Sequence, residues 1–413
     1  MKILWLTLAD PEPATNGQFL YSQGLIRAIA VEPSVEVHVT GLKRDDAGVP
    51  RRRQDDGIFW HLVAGPHRSK WAALVSRLPQ LAKRSMTESM QAELDRLLRE
   101  ERWDSIVFDS ISVGWALYSI LRTSGPTPPK IVYLSHNHEE SLARKIAGEE
   151  RNPLKRVVRT FEAWKVRRLE RALVRYASLI TSNSPADCKK FRHEARRKRV
   201  DFLPPGYAGR RVACRAITSA TPRRALIVGS FDWVAKRTNL ENFLAESDDL
   251  FAQAGIELVV VGSAEPSYIS RVRASARAAN MIGPVDDLAP YFDEARLALI
   301  VDRFGGFKLK TLDYIFNRVP ILGVAGSVPG VPLRRGQGIL LFDDHRALAR
   351  GVLGMIDDID ALNRIQENAY RACDRHFDWD KVGARLRRAL SDLQYVDRRS
   401  SSRNAIAGGL GFH

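Results

Sequence analysis

The chain has 413 residues, of which 45% are hydrophobic and 27% charged, with a formal net charge of +16. That length exceeds a single hydrophobic core, and the composition excludes a disordered, fibrous or collagen-like chain. No apolar run reaches the roughly 18 residues of a membrane-spanning helix, and the three scattered cysteines, Cys188, Cys214 and Cys373, point to a reducing compartment rather than to a disulfide framework or a metal cluster.

Residues 3–8 predict a buried strand that follows Met1-Lys2 directly, with no cleavable leader. A loop with two prolines follows, and Gly17-Gln18 opens a helix through Ile29. Strand, glycine turn and helix make an anion-binding arrangement, although no G-x-G-x-x-G dinucleotide pattern is present. Strands are predicted at 35–40, 58–63 and 105–108, and helices at 69–101 and 112–122. The strand 131–134 then feeds Ser135-His136-Asn137-His138-Glu139-Glu140. Two histidines and two carboxylates at the carboxyl end of a parallel strand supply hydrogen bonds and proton transfer. They offer no third ligand for a metal, and His138 and Glu140 read as solvated neighbours of the active pair.

A helical region runs from 141 to 176 with a break near Asn152-Pro153, and a strand follows at 179–183. Residues 151–200 hold 16 Lys/Arg against 4 Asp/Glu, a local charge of +12. A basic amphipathic stretch of this kind attracts an anionic membrane surface, nucleic acid or another acidic partner. Residues 215–224 are polar and aperiodic and read as an interdomain linker. The α/β alternation then restarts at 225–228, which predicts a second doubly wound sheet. Its first loop carries Gly229-Ser230-Phe231-Asp232-Trp233, with Lys236 and Arg237 shortly after. Strands follow at 256–261 and 281–285, and an apolar run at 297–301 leads into Gly305-Gly306-Phe307-Lys308-Leu309-Lys310 and Asp313. Lys310 and Asp313 lie three apart on a helix, so one face offers a cation near the free N–H groups of the helix start and a carboxylate one turn on. A diphosphate and a ribose would satisfy that pair. Helices at 344–356 and 358–374 precede a last amphipathic helix to about residue 393, and the Ser/Arg/Gly tail reads as disordered.

The segment from Gly306 through Lys310 and Asp313 to Pro320 resembles the donor-binding segment of GT-B glycosyltransferases similar to family 4, the glycosyl transferases group 1. His136-Asn137-x-Glu139 after its strand, the Gly229 loop, and Pro204-Pro205-Gly206 resemble further segments of that family, in the family's order. Two departures stand out: Asp313 replaces a glutamate, and Gly305 occupies the place of the first glutamate in the commoner two-glutamate motif. The resemblance implies an α/β fold of GT-B architecture: two Rossmann-like domains facing a central cleft, with a C-terminal helix crossing back to the first. The boundaries read as 1–214 for the acceptor-side domain, 215–224 for the linker, 225–374 for the nucleotide-sugar domain, 375–396 for the returning helix and 397–413 for the tail.

By the same resemblance, His136 and Glu139 are the catalytic-side residues. Gly17, Gly229, Ser230, Lys236, Arg237, Val285, Gly306, Lys310 and Asp313 bind the donor, with either Lys236 or Arg237 bridging phosphate oxygens. Lysines at a nucleoside diphosphate leaving group supply charge stabilisation without a metal or other cofactor. The implied activity is a hexosyltransferase that moves sugar from a nucleotide-diphosphate sugar to a hydroxyl acceptor, with retention expected. Inversion would instead need a base, for which Asp10, Glu139 or His136 is available. The expected partners are the nucleotide sugar, a glycan or lipid-linked acceptor in surface polysaccharide or glycolipid synthesis, and an anionic membrane surface through 151–200. The expected location is the cytoplasm, peripherally at the inner face of the plasma membrane. The competing readings are a nucleotide-sugar epimerase on the same fold and a non-catalytic basic binding module. Nucleic acid is disfavoured, because no recognised motif appears and aromatics are not interleaved as stacking platforms.

Overall fold

The computed structural model describes residues 1–14, 16–44, 51–65, 76–123, 125, 128–150, 152–195, 197–232, 234–302 and 306–408. The chain divides into two compact units, Met1–Gly206 together with the segment from Trp379, and Tyr207–Asp378.

In the first unit the strands are β1 (Lys2–Ala9), β2 (Glu36–Leu42), β3 (Arg51–Asp55), β4 (Ile58–Val63), β5 (Ser105–Asp109), β6 (Lys130–Ser135), β7 (Leu179–Ser182) and β8 (Arg199–Phe202). They form one sheet in the order β3-β4-β2-β1-β5-β6-β7-β8, parallel except for the antiparallel β3–β4 pair. A parallel sheet covered on both faces needs strands that are apolar throughout, and β1 buries five consecutive residues from Ile3 to Thr7. The helices are α1 (Gly17–Ala30), α2 (Gln80–Ser85), α3 (Glu88–Glu100), α4 (Leu117–Thr123), α5 (Glu139–Glu149), α6 (Pro153–Tyr176) and α7 (Pro185–Glu194). Side-chain caps start several of them: Asn16 for α1, Thr87 for α3, Asn152 for α6 and Ser184 for α7. The helix expected over 69–101 is divided by Met86-Thr87 into α2 and α3, while 66–75 lie outside the described residues.

In the second unit the strands are β9 (Arg224–Val228), β10 (Glu257–Val261), β11 (Ala279–Ile282), β12 (Leu297–Ile300), β13 (Ile321–Val324) and β14 (Leu340–Phe342). Their order is β11-β10-β9-β12-β13-β14, all parallel. The helices are α8 (Val234–Ala254), α9 (Pro266–Ser275), α10 (Ala289–Glu294), α11 (Lys310–Phe316), α12 (His345–Met355) and α13 (Ile359–Cys373).

The last helix, α14 (Trp379–Gly408), belongs to the first unit. Val382, Leu386, Ala389 and Leu390 join the core formed by β1, β2, β4 and α1. Trp379 lies against Gly24 of α1 and Gly206, where a Cβ at either glycine would overlap the indole ring. The helix continues to Gly408, beyond the start expected for a disordered tail, because no proline or glycine interrupts 384–407. Residues 409–413 lie outside the described residues.

The expected linker is also corrected. Residues 215–224 pack into the second unit, which begins at Tyr207. Ile217 is buried, its N–H donates to Asn363 at 3.0 Å, and the Arg215 guanidinium donates to the carbonyls of Arg318, Asp293 and Ala295. A polar, aperiodic composition here reflects backbone satisfied by side chains, not a free connector.

Both sheets have a topological switch point. In the first unit the chain runs outward from β1 through β2 and then returns to the other side of β1 at β5. In the second it runs outward from β9 and returns at β12. Open α/β sheets bind ligands at the carboxyl ends of the strands flanking that reversal.

Candidate functional site

At the switch point of the second unit, β12 ends one residue before Val301-Asp302, and Asp302 is buried. Lys310 Nζ contacts Asp302 Oδ2 at 2.6 Å. Burial pushes the Asp302 carboxyl up, but Lys310, Lys308 and Lys236 together more than reverse it and hold it below the usual carboxylate range. Lys236 is in turn lowered, first by burial and then by repulsion from Lys310. Lys308 Nζ is inaccessible and has no hydrogen-bond partner among the described residues. Burial drives Lys308 down to about 8, with Asp302 opposing and the two other lysines assisting. Three ammonium groups therefore surround one carboxylate. The excess charge calls for an anion, and a diphosphate fits that need.

The geometry separates Lys236 from Arg237. The Arg237 guanidinium lies 5.6 Å from the Tyr268 ring and 3.6 Å from Glu265, and so turns toward α9. Lys236 is the member of the pair that interacts with Lys310 and Asp302. On the loop after β9, Ser230 Oγ and Ser263 Oγ each donate to Asp232 Oδ2 at 2.7 Å, which lowers that carboxyl. Ser230 is thus engaged in shaping the loop. Gly229 donates its N–H to Val261 O at 3.0 Å, and its carbonyl lies where a Cβ on Gly262 would fall. Gly262 has φ +146°, a conformation open to glycine.

Lys310 and Asp313 do not pair. Asp313 is partly buried and faces the Tyr207 hydroxyl; desolvation raises its carboxyl to about 7, with the tyrosine hydrogen bond opposing. Asn317 Nδ2 reaches the same hydroxyl at 3.5 Å. The expectation of free N–H groups at the start of α11 is corrected: Thr311 and Leu312 donate theirs to the carbonyls of Lys308 and Leu309. The seven-residue helix is too tightly wound at its start to leave them open. Gly306 lies on the loop ahead of α11, and Gly305 and Trp233 lie outside the described residues. Val285 follows β11 and packs on the core beneath β9 and β12.

In the first unit the switch point carries a second cluster. Asp109 ends β5 and is fully buried; its Oδ1 lies 2.6 Å from His136 Nε2, and its Oδ2 accepts from Trp5 Nε1 at 2.9 Å. Tyr21 of α1 meets the His136 ring edge-on at 5.3 Å and donates its hydroxyl to Leu203 O at 2.6 Å. The imidazole is therefore held on two sides, and no described residue hydrogen-bonds its Nδ1. Gly17 opens α1 one residue after its Asn16 cap. Asp10 is buried and accepts from the Glu12 N–H at 2.9 Å.

Glu139 is the first residue of α5. Its carboxyl accepts from Asn137 Nδ2 at 3.1 Å and is raised by burial against the pull of Asn137 and His136. The backbone N–H groups of Glu139 and Glu140 donate to the Glu170 carboxyl at 3.0 and 2.7 Å, and burial lifts Glu170 to about 8. His138 and Glu140, expected in solvent, are buried instead. His138 Nδ1 accepts from the Ser141 N–H and caps α5, while Glu140 collects Arg144, Arg167 and Arg171. Asp109, Asp302, Lys308 and Tyr207 escaped the sequence reading. A usable signal existed for the two aspartates, since each directly follows an apolar run, Ile106–Phe108 or Leu297–Val301.

Residues 222–358 match the family model for glycosyl transferases group 1. No curated protein sequence matches the chain. Among solved structures, sucrose-phosphate synthase from Thermosynechococcus elongatus superposes with TM-score 0.72 at 16% identity, covering 96% of this chain and 100% of that one. The fold here is GT-B. WaaG, a glycosyltransferase involved in lipopolysaccharide biosynthesis, has TM-score 0.62 at 15% identity over 93% of this chain and 98% of its own. HepE of Anabaena, solved with UDP-glucose, has TM-score 0.60 at 14% identity over 95% of this chain and 100% of its own. Within this GT-B fold, the lysine cluster falls inside the matched residues, whereas the His136–Asp109 pair falls outside them.

Proposed function

We propose that the chain transfers a sugar from a nucleoside-diphosphate sugar to a hydroxyl acceptor. The observation that carries this reading is the set of three lysines, Lys236, Lys308 and Lys310, around the single carboxylate of Asp302. A leaving diphosphate gains negative charge as the glycosidic bond breaks, and preorganised cations in a buried site stabilise that charge. HepE was solved with UDP-glucose and with UDP, which supports a donor of this class.

On this reading Lys310, Lys236 and Lys308 hold the diphosphate, with Asp302 positioning Lys310 between turnovers. Asp313, one helical turn from Lys310, accepts from a ribose hydroxyl. His136, fixed by Asp109, hydrogen-bonds the transferred sugar, and Glu139 orients the loop that carries it. Lysine cations meet the electrostatic need, so we expect transfer to be insensitive to chelators. Retention of anomeric configuration is the expected outcome, following the resemblance to family 4. The acceptor expected is a glycan or lipid-linked glycan of surface polysaccharide or glycolipid synthesis.

The test is release of nucleoside diphosphate from a panel of nucleotide sugars, with and without acceptor extracts, in the wild type and in Lys310→Ala. Acceptor-dependent release that disappears in the variant supports the reading. Full activity in Lys310→Ala refutes it, and donor interconversion without acceptor indicates an epimerase.

A further inference from the structure

The basic segment 151–200 separates, in three dimensions, into paired and unpaired parts. Arg144, Arg167 and Arg171 converge on Glu140, Lys165 pairs with Glu162, and Lys190 with Asp187. Lys198 donates to the carbonyls of Arg175 and Ala177, and Arg199 pairs with Asp201 and Asp392. Part of the segment's positive charge is therefore engaged inside the first unit.

What remains is concentrated on α6. Leu154, Val157, Phe161 and Trp164 are 79%, 70%, 50% and 49% exposed, and Val158 flanks them at 48%. Phe161 and Trp164 stack at 5.8 Å and so form a continuous apolar patch. The same three-four spacing continues through Arg168, Arg171 and Arg175, all exposed; Arg171 is held by Glu140, whereas Arg168 and Arg175 form no ion pair with a described residue. One helix face thus reads Leu154, Val157, Phe161, Trp164, Arg168, Arg171, Arg175: an apolar part about 15 Å long followed by an arginine part about 10 Å long. Arg168 lies over the Trp164 ring, at the boundary between the two parts. Lys155 and Arg156 border the apolar part and form no ion pair with a described residue.

We propose that this face of α6 is a docking surface for an anionic lipid bilayer. The apolar part enters the acyl–headgroup boundary, Trp164 sits at headgroup depth, and the arginines reach lipid phosphates. Among the described residues no helix is long and apolar enough to cross a membrane, so attachment is peripheral. The charge pattern disfavours a second copy of this chain on the same face. A parallel pair would set three arginines against three arginines, and an antiparallel pair would bury them against apolar side chains. The inference does not depend on the donor reading, because it concerns a helix of the first unit and a different ligand.

The test is co-sedimentation of the full chain with phosphatidylcholine vesicles, and with vesicles in which part of the lipid is replaced by phosphatidylglycerol. The wild type should bind the anionic vesicles and leave the neutral ones. Arg168→Gln with Arg175→Gln should weaken partitioning about thirtyfold, at about 1 kcal/mol of attraction per basic residue near the surface. Phe161→Ser with Trp164→Ser should weaken it at least tenfold at unchanged charge. Both pairs are exposed, and an unchanged melting temperature verifies folding. Absent vesicle binding, equal binding to neutral and anionic vesicles, or binding retained by both variants overturns the proposal. So does concentration-dependent dimerisation, or retardation of RNA or DNA, that is lost in these variants while vesicles remain unbound.

Discussion

Lys308→Met removes a buried ammonium that has no hydrogen-bond partner among the described residues. In the unfolded chain Lys308 titrates at 10.5, and burial brings it to about 8 in the fold. At about 1.4 kcal/mol per tenfold change, that difference corresponds to roughly 3 kcal/mol of destabilisation wherever both states are charged. The variant should therefore be more stable than the wild type below pH 8 by up to about 3 kcal/mol, seen as a melting temperature several degrees higher. The sign follows from proton counts. Between pH 8 and 10.5 the unfolded chain holds a proton that the folded one has released, so wild-type stability rises with pH and the advantage of the variant shrinks. Pyrophosphate is a ligand free of base and sugar, and it restores an anionic partner to Lys308. It should stabilise the wild type, with proton uptake on binding above pH 8, and should bind the variant at least tenfold more weakly. Differential scanning fluorimetry and calorimetry in buffers of different ionisation enthalpy read both effects. A variant with unchanged stability and unchanged pyrophosphate affinity would refute the electrostatic account of the cluster.

Other substitutions separate the remaining roles. His136→Ala should lower kcat by about 10²–10⁴-fold, and Asp109→Asn should lower kcat with little change in donor KM, because it loosens the imidazole without touching the lysines. Asp313→Ala should weaken donor binding by about ten- to a hundredfold, the value of a hydrogen bond to a charged group, while leaving pyrophosphate binding unchanged. Steady-state kinetics and titrations decide both. Gly24→Ala places a Cβ inside the Trp379 ring and should cost about 1–3 kcal/mol or more. Combining it with Trp379→Leu should recover part of that loss in thermal melts, and strict additivity would contradict the packing of α14 on α1.

The sheets were legible because buried parallel strands are apolar on both faces, as in residues 3–7 and 297–301. The strand β3 was not, since Arg51-Arg52-Arg53-Gln54-Asp55 carries no apolar residue and pairs only at an edge. Lys310 could be chosen from its place after a strand and two glycines, but its partner could not. Spacing along a helix shows only neighbours such as Asp313, whereas Asp302 comes from the preceding strand end. The choice between Lys236 and Arg237 likewise depended on which side of α8 meets α9, where Glu265 and Tyr268 draw the arginine away. The sequence His136-Asn137-His138-Glu139-Glu140 looked uniformly polar, yet His138 and Glu140 are buried, with Glu170, Arg167 and Arg171 reaching the segment from α6. Polar clusters are read poorly from sequence because their burial depends on partners far along the chain.

The most direct measurement of the central claim is calorimetric titration of nucleosides, nucleoside monophosphates and nucleoside diphosphates into the wild type and into Lys236→Met/Lys310→Met. The account predicts that one nucleoside diphosphate binds the wild type far more tightly than its monophosphate and nucleoside, and that the double variant erases this preference. Equal affinity for a nucleoside and its diphosphate, or a diphosphate preference that survives the loss of both lysines, would contradict it.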